Sequence, residues 1–175
     1  MVNLKSYSLN LFARVFIAIG LALFRDIFYL IFTPLTLHWS YLFFKLFVPE
    51  VVLMGYKLIT TTNTFTFIPA CTAASAYLLL ALLILLTKDI AWMRRVEMFV
   101  VGSLAILGFN LLRIELLLWF FFKFSGVYPV MHLVFWKFLS TIFVFILWIA
   151  LTKLFEIKSI PIYSDFKYIL GKMKR

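Results

Sequence analysis

Apolar residues run along this chain in five long blocks, separated by charge, proline or clustered hydroxyls. The first block, about Ser8 to Phe32, is interrupted by Arg25-Asp26 and closed by Thr33-Pro34. Proline lacks an amide donor and clashes with the preceding turn, so a helix is expected to end there. The second block, about Leu37 to Leu58, carries Lys45, Pro49 and Glu50 in its middle and is the weakest of the five. Thr60 to Thr66 is polar and β-branched and predicts an extended loop. The third block, Pro69 to Leu86, is the cleanest helix, with proline where a first turn tolerates it. Lys88 to Arg95 forms a short basic loop. The fourth block, Val96 to Phe122, would be about 40 Å long as a helix and must tilt or protrude from a bilayer. Lys123 to Val130, with Ser125-Gly126 and Pro129, predicts a turn before the fifth block, Met131 to Leu154.

Runs of roughly 20 apolar residues match the ~30 Å hydrocarbon thickness of a membrane. Composition agrees: 65% of the 175 residues are hydrophobic and 20% aromatic, more than a water-facing surface of this size accommodates. The expected fold is therefore all-α, an integral membrane helical bundle of about five transmembrane helices. It would form one domain over residues 1–175, with no internal repeat and no separate soluble unit. The first block is too long and too internally charged for a cleaved signal peptide.

The net charge of +10 raises the question of nucleic acid, but the basic residues form no stripe. They gather at the ends of apolar blocks, the distribution that orients membrane proteins. The tail holds Lys153, Lys158, Lys167, Lys172, Lys174 and Arg175 against Glu156 and Asp165. Placing this tail and the loop 88–95 in the cytoplasm sends the third helix inward, the fourth outward and the fifth inward. Cys71 and His132 then open their helices at the outer face, and Arg113 lies about 14 Å below the outer end of the fourth helix. With five crossings the N-terminus falls outside, which fits poorly with Lys5 and Arg14. One cysteine excludes an intrachain disulfide, and with two histidines no metal or cofactor site is expected.

Three residues carry candidate chemistry. A lone cysteine in an apolar chain is ordinarily a small buried hydrophobe. Cys71, however, falls in an expected first helical turn, where free amides and the helix dipole favour a thiolate. Ser75, four residues on, would share its face. Arg113 lies within an apolar helix, a costly placement that usually serves a polar interior. Glu115 is the available ion partner, but residues two apart do not face each other. Asn110, three residues back, is placed to orient the arginine. His132, with Trp136 one turn on, can move a proton near neutral pH, whereas His38 beside Trp39 reads as an interfacial ring. A thiol, a cation and an imidazole together supply the nucleophile, oxyanion stabiliser and acid–base of acyl transfer.

On Ala70-Cys71-Thr72-Ala73-Ala74-Ser75-Ala76, Asn110-Leu111-Leu112-Arg113 and His132 with Trp136, the chain resembles the exosortase/archaeosortase family. These are integral membrane cysteine transpeptidases, and the small archaeal, pacearchaeosortase-like members are the most similar. The likeness covers roughly Pro69 to Trp148, and the tail Pro161-Ile162-Tyr163-Ser164-Asp165 adds to it. It implies a catalytic core at about 69–154 and a basic cytoplasmic tail at 155–175. In the roles it implies, Cys71 is the nucleophile, Arg113 stabilises the oxyanion or thiolate, and His132 is the general acid/base. Asn110, Ser75 and Trp136 support them.

The implied partners are secreted proteins ending in a sorting tail of motif, transmembrane span and basic cluster, with a membrane lipid as acyl acceptor. The implied location is the plasma membrane, with the active site near its outer face. Many family members have a glycine where this chain has Ala73, and several have an acidic residue where it has Ala70, so the subfamily and the substrate motif stay open. Two other readings compete. One is a non-enzymatic transporter or assembly subunit with a structural or anion-binding Arg113. The other is an intramembrane protease that uses water alone.

Overall fold

A computed structural model describes residues 4–123, 128–134 and 138–173. The chain is mostly helical. The helices are α1 (Leu4–Leu23), α2 (Asp26–Phe47), α3 (Pro69–Thr72), α4 (Ala74–Leu86), α5 (Trp92–Lys123), α6 (Tyr128–Val134), α7 (Ser140–Leu154) and α8 (Tyr163–Met173). Between α2 and α3 lies an antiparallel sheet of β1 (Val52–Met54), β2 (Lys57–Ile59) and β3 (Thr64–Thr66), in that order. Two helices, α2 and α5, are long and apolar enough to cross a membrane, and shorter apolar helices cover Tyr7–Leu23, Ala74–Leu86 and Ser140–Leu154. A count of five transmembrane helices is not established by this architecture.

The first two blocks are cut in different places from those the sequence marks. The chain turns at Phe24-Arg25, so the charged pair sits at a corner rather than inside a helix. Pro34, expected to end a helix, lies inside α2. Proline removes one hydrogen bond at a cost of about 3 kcal/mol, but the α2 face of Phe28, Phe32, Thr36, Ser40 and Phe44 is buried along its whole length. Phe32 stacks on Tyr77 with ring centroids 3.5 Å apart, and the Thr33 hydroxyl pairs with that of Thr72 at 3.0 Å. Packing of this kind offsets the hydrogen bond lost at the proline. Beyond Phe47 the second block leaves the helix, and Pro49-Glu50 opens the hairpin instead. Gly55 takes φ +58° at the β1–β2 turn, a left-handed conformation that glycine adopts without a Cβ penalty. The expected loop at 60–66 supplies β3, so the fold is not purely helical.

α4 is the hub. It is apolar all round and packs against α1, α2, α5 and α7, burying Tyr77, Leu80, Ala81 and Ile84. α5 comes close because Gly102 has no side chain: a Cβ there would stand 2.5 Å from Leu80 Cδ2 and 3.0 Å from Leu151 Cδ1. Small residues at such crossings let backbones approach, the usual device where lipid leaves little hydrophobic drive between helices. Outward faces carry large exposed apolar side chains, among them Phe12, Phe16, Leu30, Leu46 and Leu104.

The polar contacts of α1 fall at the end of the bundle where α4 stops. Arg14 donates to the Thr87 carbonyl at 3.1 Å, and Ile17 and Leu21 lie beside Ile84 and Leu85. α8 returns to the same end, so the tail is partly an ordered helix. Arg14 pairs with its Asp165 at 2.7 Å, and the Tyr7 hydroxyl donates to the same carboxylate. Both members of the pair are buried, at 3% and 6% exposure. Removing one partner of such a pair strands a buried charge, so Asp165→Ala is expected to destabilise the fold by about 3–5 kcal/mol. The Arg14→Met/Asp165→Leu double variant is expected to recover most of that loss in thermal unfolding in detergent.

Candidate active site

Cys71 stands on a separate helical turn rather than on a long helix. Ile68 is extended, Pro69 opens α3, and the Cys71 amide donates to the Ile68 carbonyl at 2.9 Å. Ala73 then takes φ 55°, ψ 30°, which ends α3 and restarts the chain as α4. Two expectations change as a result. A four-residue turn cannot supply the helix dipole expected to act on the thiol. Ser75 does not share a face with Cys71, because the left-handed residue between them breaks the four-residue spacing; it lines a different cavity, with Ser140 and Thr141. Left-handed backbone costs an L-residue roughly 1–2 kcal/mol. Ala73→Gly is accordingly expected to raise stability by up to about 1 kcal/mol and Ala73→Val to lower it, readable as shifts in melting temperature.

A cavity of about 250 Å³ opens beside Cys71. Leu58 and Phe65 of the sheet, with Ile114 and Leu118 of α5, form its apolar wall, and Cys71, Arg113 and His132 contribute the chemistry. Arg113 is 4% exposed. Its Nη2 donates to the Ala70 carbonyl at 3.0 Å and its Nη1 to the Ser140 hydroxyl at 3.2 Å. The guanidinium therefore ties the residue before the cysteine to the start of α7. Its Nε–H is buried and has no hydrogen-bond partner, while the residue lines the cavity. Among the described residues Arg113 has no carboxylate within ion-pairing distance, Glu115 included. Arg113 also lies within electrostatic reach of both the Cys71 thiol and the His132 ring.

Asn110 acts elsewhere than expected. Its amide does not contact Arg113; Nδ2 donates to the Cys71 carbonyl at 2.7 Å from a fully buried position. Arg113 and Asn110, one turn apart on α5, thus hold consecutive carbonyls, those of Ala70 and Cys71. Trp136 lies outside the described residues. His38 is exposed on α2, away from the cavity. Sequence reading missed Ser140, Thr33 and the sheet. The adjacent hydroxyls of Ser140 and Thr141 inside an apolar block were the only signal for Ser140, and the sheet strands are too short to show alternation. Among the described residues no cluster of His, Cys, Asp or Glu suits a metal ion.

Searches against family models, curated proteins and solved structures return no match to this chain. The site is therefore read from its own geometry.

Proposed function

We propose that this chain is a membrane cysteine transpeptidase of the exosortase/archaeosortase kind, acting on the C-terminal sorting tails of secreted proteins. One observation carries the reading: Cys71, Arg113 and His132, from three separate elements, line a single cavity. The exposed apolar faces of the bundle support a membrane location. We read the topology as four crossings, by α2, α4, α5 and α7, with α1 lying along the cytoplasmic end. An even count puts the N-terminus, the 88–95 loop and α8 on one side, which removes the conflict with Lys5 and Arg14.

In the proposed reaction the His132 ring takes the Cys71 proton, and the thiolate attacks the scissile carbonyl carbon. Charge developing on the carbonyl oxygen is met by Arg113, whose Nε–H is unused. The C–N bond breaks, and the departing amine takes the proton from His132, leaving a thioester on Cys71. An amine-bearing lipid or water then attacks the thioester carbonyl while His132 accepts its proton; the C–S bond breaks, and His132 returns the proton to the Cys71 sulfur. The test is co-expression with a secreted protein of the same genome that ends in a motif, an apolar span and basic residues. Release of the tail is the expected result, and a tail left intact on every such protein would overturn the reading. The mass of the new C-terminus separates transfer to lipid from hydrolysis.

The absence of a carboxylate beside Arg113 among the described residues equally suits a non-enzymatic anion-binding subunit. In that case thiol-directed reagents would modify Cys71 without affecting any processing of tails.

A further inference from the structure

The opposite end of the bundle, about 20 Å from Cys71 along the 13 residues of α4, holds a second concentration of charge. The last carbonyls of α4 lack helical partners and are held by arginines. Arg95 donates to Ile84, to Leu85 at 3.0 Å and to Thr87 at 2.9 Å, while Arg14 reaches Thr87. Beside them is a polar cavity of about 230 Å³ lined by Tyr7, Arg14, Lys88, Asp89, Arg95 and Tyr168 among others. The carboxylates present are already engaged: Asp165 by Arg14, and Asp89 by Lys88 at 3.4 Å. Among the described residues lining this cavity, Arg95, 5% exposed, is the cation without a carboxylate partner, and its Nε–H is unpartnered. Lys88 lies over the rings of Tyr7 and Tyr168, at 5.6 and 4.1 Å from their centroids.

Arg95 also lines a second hollow, a groove of about 400 Å³ between α1, α2, α4 and α5. Its walls are almost wholly apolar, built by side chains such as Leu21, Phe28, Ala81, Val96 and Phe99. Trp92, half exposed, stands at its edge with the Arg95 guanidinium 5.4 Å from its ring. A cationic polar cavity and an apolar groove that share one arginine match an amphiphile with an anionic head and a hydrocarbon tail. A free phosphate would use only the first.

We propose that this end of the bundle binds an anionic phospholipid, its headgroup phosphate in the Arg14–Lys88–Arg95 cavity and one chain in the groove. The proposal rests on the membrane reading but not on the peptidase chemistry. Protein purified in dodecyl maltoside, both wild type and Cys71→Ala, is titrated with phosphatidylglycerol, phosphatidylcholine or glycerol phosphate. Bound molecules are counted by native mass spectrometry. Phosphatidylglycerol is expected to bind at least fivefold more tightly than phosphatidylcholine in both proteins, and glycerol phosphate is not expected to be retained. Lys88→Gln should weaken phosphatidylglycerol about fivefold and narrow the preference. Val96→Trp, which fills the mouth of the groove, should weaken both lipids about tenfold without changing their ratio. Equal binding of the two lipids, or affinities unmoved in both variants, would overturn the site. Competition by glycerol phosphate as strong as that of the lipid would overturn it in favour of a free-anion pocket. Because the Cys71→Ala protein is tested alongside, failure here and failure of the peptidase reading are told apart.

Discussion

Cys71→Ala is expected to lower processing of a tail-bearing protein by about 10⁴-fold or more while leaving the melting temperature within a few degrees. The large loss follows from the nucleophile's place in the mechanism: neither Arg113 nor His132 has an atom that can form the thioester. The small structural effect follows from the setting. Cys71 is only partly buried, at the edge of the Phe44–Leu58–Ile114 cluster, and its hydrogen bonds to the fold run through its backbone, with the amide on Ile68 and the carbonyl on Asn110. An alanine keeps both. Cys71→Ser keeps shape and polarity but not the acidity or softness of the thiol, so it should remain nearly as inactive. Processing by the alanine variant at the wild-type rate would remove the cysteine from the chemistry.

Arg113→Lys should cost about 10²–10³-fold in kcat with little change in KM. An ammonium keeps the charge but loses the planar fork. The guanidinium holds the Ala70 carbonyl and the Ser140 hydroxyl at once and still has an Nε–H to spare. Lysine has a single nitrogen for all three tasks. Developing negative charge exists only in the transition state, so its loss should appear in kcat. A structural role alone would predict the reverse: a drop in melting temperature, with the activity of the folded fraction unchanged. Ser140→Ala serves as a control, since it loosens one anchor of the arginine and leaves the charge in place.

Three residues of the cavity, Cys71, Arg113 and His132, were legible in the sequence for one physical reason. A thiol, a guanidinium and an imidazole are conspicuous in apolar blocks, and burial of Arg113 demands polar partners. Their convergence also followed from orienting the blocks by their flanking charges. What stayed hidden depends on backbone geometry. Nothing in Ala70 to Ser75 announces that Ala73 is left-handed, so Ser75 was assigned to the wrong face and Cys71 to the wrong length of helix. Asn110 stands out by its place one turn before Arg113, but its partner is the Cys71 carbonyl rather than the arginine, which no side-chain pattern encodes. Pro34 misled because its cost is local, whereas the packing of Phe32 and Thr33 that offsets it joins residues roughly forty apart in sequence. The pairing of Arg14 with Asp165 is longer-range still, and it recast a basic tail as a helix docked on α1.

The most direct measurement of the central proposal is the mass of the enzyme caught in mid-reaction. Protein with His132→Ala, in which the proposed acyl-enzyme should form and resolve slowly, is mixed with a tail-bearing substrate, digested and mapped. The mechanism predicts an acyl adduct on the peptide containing Cys71, removed by hydroxylamine as a thioester is. Cleaved substrate with Cys71 unmodified at every time point, and with cleavage undiminished after the thiol is alkylated, would contradict it.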